Sequence, residues 1–369
     1  MTATRERGEA PALAAAAFQP HALTLARRWR RIRKKELARQ VGVTAAAVSQ
    51  YELAQSRPSP ATLARLALAL AVPVRFFAAG IPAPVMAGHA HFRSLRITTQ
   101  AERDQALAFG EIAWRVVDAV EQHLQLPVLR LPSIDLPEEA SSRDLEAAAV
   151  AARHALGLGD EPVPHMVRLL EAAGVVVLTL PDVSERVDAF SHWYGSRPFV
   201  FLSPSKNDKA RSRMDVAHEL AHLLLHHDAE PGSQILEREA TAFGSQFLAP
   251  SRQLRDELPT RLDFEQLQRT KRRWGLSLKA LVYRGHAMGI YSDYTYRRAM
   301  NMLAEWGYPE PADLGHREQP SLLGKAAALL AEQEHTVTSV AEQAGMSSDM
   351  LQAVVSAGSE ITLGLDVEA

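Results

Sequence analysis

The chain has 369 residues, 47% of them hydrophobic and none of them cysteine. That length predicts two or three domains with real cores, and the missing thiols exclude disulfides, thiolate metal sites and cysteine nucleophiles, in keeping with a reducing cytoplasm. A net charge of −2 excludes little by itself, and no apolar run approaches the ~20 residues that span a bilayer, so no membrane role is expected.

The first 20 residues, MTATRERGEAPALAAAAFQP, read as a disordered, Ala-rich leader. Charge then becomes uneven. Between His21 and Arg57 stand nine basic residues (Arg27, Arg28, Arg30, Arg31, Arg33, Lys34, Lys35, Arg39, Arg57) against two acids, Glu36 and Glu52. A local excess of this kind marks a polyanion-binding module. The same stretch predicts short helices. Leu23, Ala26 and Trp29 recur at helical spacing, Gly42 suits a left-handed C-cap, Thr44 suits an N-cap, and Ser59-Pro60 opens a further helix. Two short helices about a Gly turn form a helix-turn-helix. The segment ELARQVGVTAAAVSQYELAQSRPSPATLARLALAL resembles the XRE/Cro-type family. That resemblance places a DNA-binding domain over 21–80 with its recognition helix over 44–54 and double-stranded DNA as partner. Thr44, Ala45, Ala46, Ser49 and Gln50 are the groove-facing candidates, with Arg33, Lys34 and Lys35 for phosphates. Val48 faces the core, and Tyr51-Glu52 are structural. The alanines leave few side chains for bidentate base readout.

Residues 81–140 read as a linker and a connecting helix. The first part is rich in Gly and Pro and contains HFRSLR (91–96), a segment similar to one in chains that join an XRE module to a peptidase. An amphipathic helix follows over about 101–124, then an extended, Pro-rich stretch (126–139). Helices are predicted over 144–158 and 165–174, each ended by Gly. VVVLTL (175–180), DAFSHWYG (188–195) and RPFVFL (197–202) read as strands. The expected fold class is α+β and mostly helical: an all-α N-terminal domain, a central domain over 141–255 with a small sheet, and a helical C-terminal region over 256–369.

VAHELAHLLLHH (216–227) carries the chemistry. His218-Glu219-Leu220-Ala221-His222 is H-E-x-x-H; residues four apart on a helix share a face, so both imidazoles reach one ion. Neutral imidazoles suit Zn2+, and three protein ligands leave a fourth position open. Glu219, beside them on an otherwise apolar helix, is costly to bury without a partner and suits the general base. Met214, Val216, Ala217, Leu220, Ala221, Leu224 and Leu225 give that helix a broad apolar surface. A third ligand is required. His226 lies ~12 Å along the helix from His218, so it and His227 read as supporting or surface groups. In the next helix, SQILEREATAFGSQFLAP (233–250), Glu237, Thr241, Gly244 and Leu248 share a face whose small residues allow close approach. Glu237 is therefore the favoured third ligand and Glu239 the alternative.

From about 150 to 252 these segments resemble the ImmA/IrrE-type metallopeptidase family. The resemblance implies a zincin-like fold for the central domain, His218, His222 and Glu237 as zinc ligands, Glu219 as base, and XRE-type repressors among the targets. The chain departs from the family pattern at Thr241, where Asn is frequent, and at Leu248-Ala249-Pro250. The final third reads as a basic, aromatic helical region (264–308), taken as a lid over the cleft, and a second helix-turn-helix-like echo (337–355) without basic residues, taken as a dimerisation or packing element.

Two functions from different classes follow. One is a cytoplasmic, DNA-tethered zinc endopeptidase and regulator cutting a repressor-like protein in a stress, mobile-element or defence response. The other is a non-catalytic regulator or antitoxin whose peptidase-like domain senses a ligand or a toxin partner. A homodimer is compatible with both. Strand 198–202 could accept an extended substrate by strand addition.

Overall fold

The computed structural model describes residues 11–78, 99–137, 139–181, 189–204, 208–226 and 233–359. These fold as two compact units: one holds the described residues up to 78 with 99–126 and 321–359, the other holds 127–320. The fold is mostly helical with one three-stranded sheet. Among the described residues no helix is long and apolar enough to cross a membrane. HFRSLR (91–96) and His227 lie outside the described residues.

The first unit begins with α1 (Pro20–Trp29), α2 (Lys34–Val41), α3 (Ala45–Glu52) and α4 (Pro60–Leu70). Local chemistry sets their ends. Gly42 adopts φ 73 and closes α2 by donating its N–H to Ala38, a left-handed conformation glycine takes without a Cβ penalty. Thr44 accepts from the Ala47 N–H to start α3, and Ser59 accepts from Thr62 to start α4. Leu23, Leu37, Val48, Leu63, Leu66 and Phe76 are buried between them.

The disordered leader expected over residues 1–20 needs correction from residue 11 onward; residues 1–10 lie outside the described residues. Residues 11–16 are helical, Ala14 and Phe18 are buried, and Gln19 donates its backbone N–H to Phe77 at 2.7 Å. The Ala-rich run has high helix propensity, and Phe18, with its ring 6.3 Å from that of Phe77, gives it an apolar anchor.

Helix α5 (Gln100–Glu121) opens with a reciprocal capping box between Thr99 and Glu102. It is the spine of this unit. Trp29 of α1 stacks on Phe109 with centroids 5.9 Å apart. Further along, Arg115 donates to the Ala344 carbonyl at 3.2 Å, and His123 bonds Gln343 at 2.7 Å. Helices Leu322–Glu332, Val337–Gln343 and Ser348–Ala357 thus complete this unit. The helix-turn-helix-like echo packs inside its own chain.

The second unit contains α6 (Ser142–Ala155), α7 (Met166–Ala172), β1 (Val176–Thr179), β2 (Phe190–Tyr194), β3 (Arg197–Leu202), α8 (Lys209–Leu225), α9 (Gln234–Leu248) and α10 (Ser251–Glu257). The sheet order is β1-β3-β2. β3 runs parallel to β1, with Val177 opposite Val200, and antiparallel to β2, with Ser191 opposite Val200. β3 is therefore the central strand. Strand addition at 198–202 is corrected on this ground: its backbone groups are already paired on both sides, and β2 is the edge beside it.

Helices α11 (Phe264–Trp274), α12 (Leu278–Ala287) and α13 (Asp293–Trp306) follow. The region expected to form a lid is part of the core instead. Leu267, Trp274, Leu281, Val282 and Leu303 are buried in one cluster with Val200 of the sheet, Leu220 of α8 and Phe243 of α9. The basic residues of α11 sit on the outer face, apart from Lys271, which is buried and pairs with Glu310 at 3.3 Å.

Candidate metal centre

Helix α8 starts at Asp208, whose side chain accepts from the Arg211 N–H. It is buried along nearly its whole length from Ala210 to Leu224. A helix so enclosed needs close neighbours, and α9 supplies one through Gly244. A Cβ at Gly244 would lie 3.0 Å from the His218 backbone nitrogen and 3.1 Å from the Ala217 carbonyl carbon. Only glycine lets the two backbones meet there without displacement.

This approach brings Glu237 onto the histidines. His218, His222 and Glu237 each offer a ligand atom, all within 4.8 Å of one another. The ring nitrogens involved are both Nε2, 3.1 Å apart. Glu237 reaches His218 Nε2 at 3.2 Å through Oε2 and His222 Nε2 at 3.5 Å through Oε1. Both histidines are buried, whereas the Glu237 side chain is 23% exposed, so the cluster is open on the carboxylate side. Burial alone would raise the Glu237 carboxyl, but the His218 and His222 rings beside it hold it well below the usual carboxylate range.

The donor set fits a divalent cation. Three electron-pair donors converge on one point, and Glu237 Oε2 is buried without a hydrogen-bond donor. A buried oxygen in that condition carries the full cost of desolvation, which a cation among these atoms removes. Two imidazoles and one carboxylate match the three-ligand pattern of catalytic zinc.

Glu219 is buried, 1% exposed. Its Oε2 accepts a 2.8 Å hydrogen bond from the Ser191 hydroxyl of β2, which also approaches the Glu219 carbonyl at 3.3 Å. Sequence reasoning missed Ser191. The strand holding it was readable, but nothing in its spacing announces a pairing with a residue 28 positions away.

Thr241 supports the other side. Its hydroxyl donates to the Glu237 carbonyl at 2.8 Å and lies 3.3 Å from His218 Nδ1. With its proton so committed, it can accept from that nitrogen. Glu239, the alternative ligand, is placed elsewhere: its Oε2 lies 3.0 Å from His226 Nε2, and burial raises its carboxyl above the ordinary range. His226 is buried at the end of α8, with Nδ1 3.1 Å from His222 Nδ1.

In the first unit, Thr44 at the N-cap of α3 and Ala45, Ala46 and Gln50 on it are exposed, and Ser49 is half-buried. Arg33 and Lys35 are exposed, but Lys34 is held internally, 3.0 Å from Glu52 and 3.3 Å from Ser49 Oγ. Much of the basic cluster is committed in the same way. Arg27 pairs with Glu52 at 2.6 Å, Arg28 with Asp104 at 3.4 Å, Arg30 donates to the Leu70 carbonyl, and Arg57 to that of Ala16. Arg31, Arg33, Lys35 and Arg39 remain exposed, without an ion pair among the described residues.

Fold and site together define a helix-turn-helix unit joined to a helical unit that carries an H-E-x-x-H cluster. Comparison with known families agrees. Residues 23–77 match the family model described as Helix-turn-helix, and residues 170–286 match the one described as IrrE N-terminal-like domain, a peptidase family. Residues 23–77 are thus similar to an XRE-type helix-turn-helix module and residues 170–286 to an IrrE-like, peptidase-type domain, in the order of a fusion of the two. The second match runs past 255 to the end of α12, in step with the shared core. No curated protein matches the chain.

Proposed function

We propose that the chain is a DNA-binding zinc endopeptidase that acts as a regulator by cutting a protein. The observation that carries this reading is the convergence of His218, His222 and Glu237 within 4.8 Å, beside a buried carboxylate, Glu219, in a domain that matches a peptidase family. His218, His222 and Glu237 would hold the ion. Zinc, when bound, supplies Lewis-acid polarisation of the scissile carbonyl and acidifies the attacking water.

The chain's own groups do the remaining work. Glu219 takes the proton of the attacking water and passes it to the departing amine. Ser191 holds one Glu219 oxygen at 2.8 Å and so limits rotation of the carboxylate. Thr241 anchors His218 through its Nδ1 edge, 3.3 Å away. β2, an edge strand that carries Ser191, offers backbone groups to an extended substrate; no strand pairs with its outer edge among the described residues. By family resemblance, the substrate is a repressor-like protein cut in a stress, mobile-element or defence response. The first unit would place the enzyme on duplex DNA through α3 and the four exposed cations.

The test is co-expression with candidate repressor-like proteins, using wild type and Glu219→Gln. Cleavage by wild type alone supports the enzyme. Equal cleavage by both rules out Glu219 as base. Regulation of a bound promoter by Glu219→Gln as complete as that by wild type favours the non-catalytic regulator or antitoxin.

A further inference from the structure

His226 and Glu239 lie outside the three-ligand cluster, yet they connect to it through a continuous line of hydrogen-bonding atoms. His222 Nδ1 is 3.1 Å from His226 Nδ1, and His226 Nε2 is 3.0 Å from Glu239 Oε2. The Glu239 side chain is 14% exposed and that of His226 3%, so water competes weakly for these contacts. We propose that Glu239 is a positioning residue which, acting through His226, fixes the tautomer of His222 that points a lone pair at the metal. This rests on the metal site proposed above.

The polarity of the line follows from the donor inventory. A neutral imidazole carries one N–H and one lone pair. Two facing Nδ1 atoms bond only when one is protonated and the other is not. His222 Nε2 belongs to the cluster with His218 and Glu237, so in a metal-binding histidine the proton sits on Nδ1. His226 must then present a bare Nδ1 and carry its own proton on Nε2. That proton meets Glu239, which as a carboxylate only accepts. Each link thus requires the next, and the carboxylate end sets the direction.

The helices make this possible. His226 stands four residues after His222 as the C-cap of α8, and Glu239 reaches it from α9. Ligand histidines are generally oriented by a carboxylate, carbonyl or water on the second nitrogen, and losing that partner typically costs 10–100-fold in metal affinity. Here the two ligand histidines are served differently. A hydroxyl faces His218 Nδ1 at 3.3 Å, whereas a second imidazole stands between His222 and its carboxylate.

The experiment uses the full chain as wild type, Glu239→Met and Glu239→Gln. Zinc dissociation constants come from chelator competition, and imidazole tautomers from long-range 15N–1H NMR of the metal-free protein, with His222 assigned from its loss in His222→Gln. Wild type should show His222 protonated at Nδ1. Glu239→Met, similar in length but with only a weakly accepting, uncharged sulfur, should lose that preference and weaken zinc about 10–100-fold. Glu239→Gln, whose carbonyl still accepts, should restore both to near wild type. A purely structural role would lower thermal stability without moving the tautomer. Unchanged zinc affinity and an unchanged His222 tautomer in Glu239→Met overturn the proposal. Wild type that holds no zinc, but whose His222 tautomer still depends on Glu239, overturns the metal site alone. No zinc together with an insensitive tautomer overturns both.

Discussion

Helix α3 and helix α8 carry the proposed functional residues of the two units, and they use polar residues in opposite ways. α3 exposes small side chains, Ala45 and Ala46, and the basic cluster around it is largely tied to the fold: Arg27 and Lys34 to Glu52, Arg28 to Asp104. α8 buries its polar residues instead. His218, Glu219 and His222 are each 2% exposed or less, and partners on β2 and α9 serve them. The difference teaches that a count of charges overstates what is available at a surface. A spacing on a buried helix constrains geometry much more tightly, because buried polar groups require partners.

The comparison can be broken most forcefully at Glu219. Glu219→Gln should lower cleavage about 10²–10⁴-fold while metal content stays at the wild-type level, since general acid–base contributions have that size; loss of metal in this variant would recast Glu219 as a ligand. Next in size is Gly244→Ala. A Cβ 3.0 Å from the His218 nitrogen must separate α8 from α9, which should destabilise the second unit by about 1–3 kcal/mol, as overpacking does. Denaturant unfolding measures this, and wild-type stability would show that the close approach is not required.

Smaller effects sharpen the other side. Replacing Arg31, Arg33, Lys35 and Arg39 with Gln should weaken duplex DNA binding and flatten its salt dependence by about 0.9 in log–log slope for each phosphate no longer neutralised. Replacing Arg27 and Arg28 should act through folding stability instead. Anisotropy titrations across a salt series separate the two pairs of outcomes. If all these cations contribute equally to the slope, the ion pairs of the first unit open on DNA. Ser191→Ala should give the smallest change, a reduced rate with unchanged metal affinity, because it touches Glu219 and none of the three donors.

The sequence carried the helices and their ends well, because Gly42, Thr44 and Ser59 act locally. H-E-x-x-H was readable for the same reason: helical periodicity alone puts His218 and His222 on one face. What lay outside that range depended on tertiary partners. Residues 11–18 are ordered because Phe18 finds Phe77 across the unit. β3 is central rather than at an edge because the chain lays β1 and β2 on either side of it, an ordering that composition does not encode. The roles of Ser191 and Thr241 rest on hydrogen bonds to residues 28 and 23 positions away. The basic excess could be counted, but not the share already neutralised within the fold.

The central claim is that His218, His222 and Glu237 hold one zinc ion. Elemental analysis of the purified chain, beside His222→Ala and Glu237→Gln, tests it most directly. The account predicts about one equivalent of zinc in wild type, as one three-ligand site requires, with loss in His222→Ala and weakened retention in Glu237→Gln, whose amide is a poorer ligand. Equal zinc in all three proteins, or none in wild type after reconstitution, would contradict it.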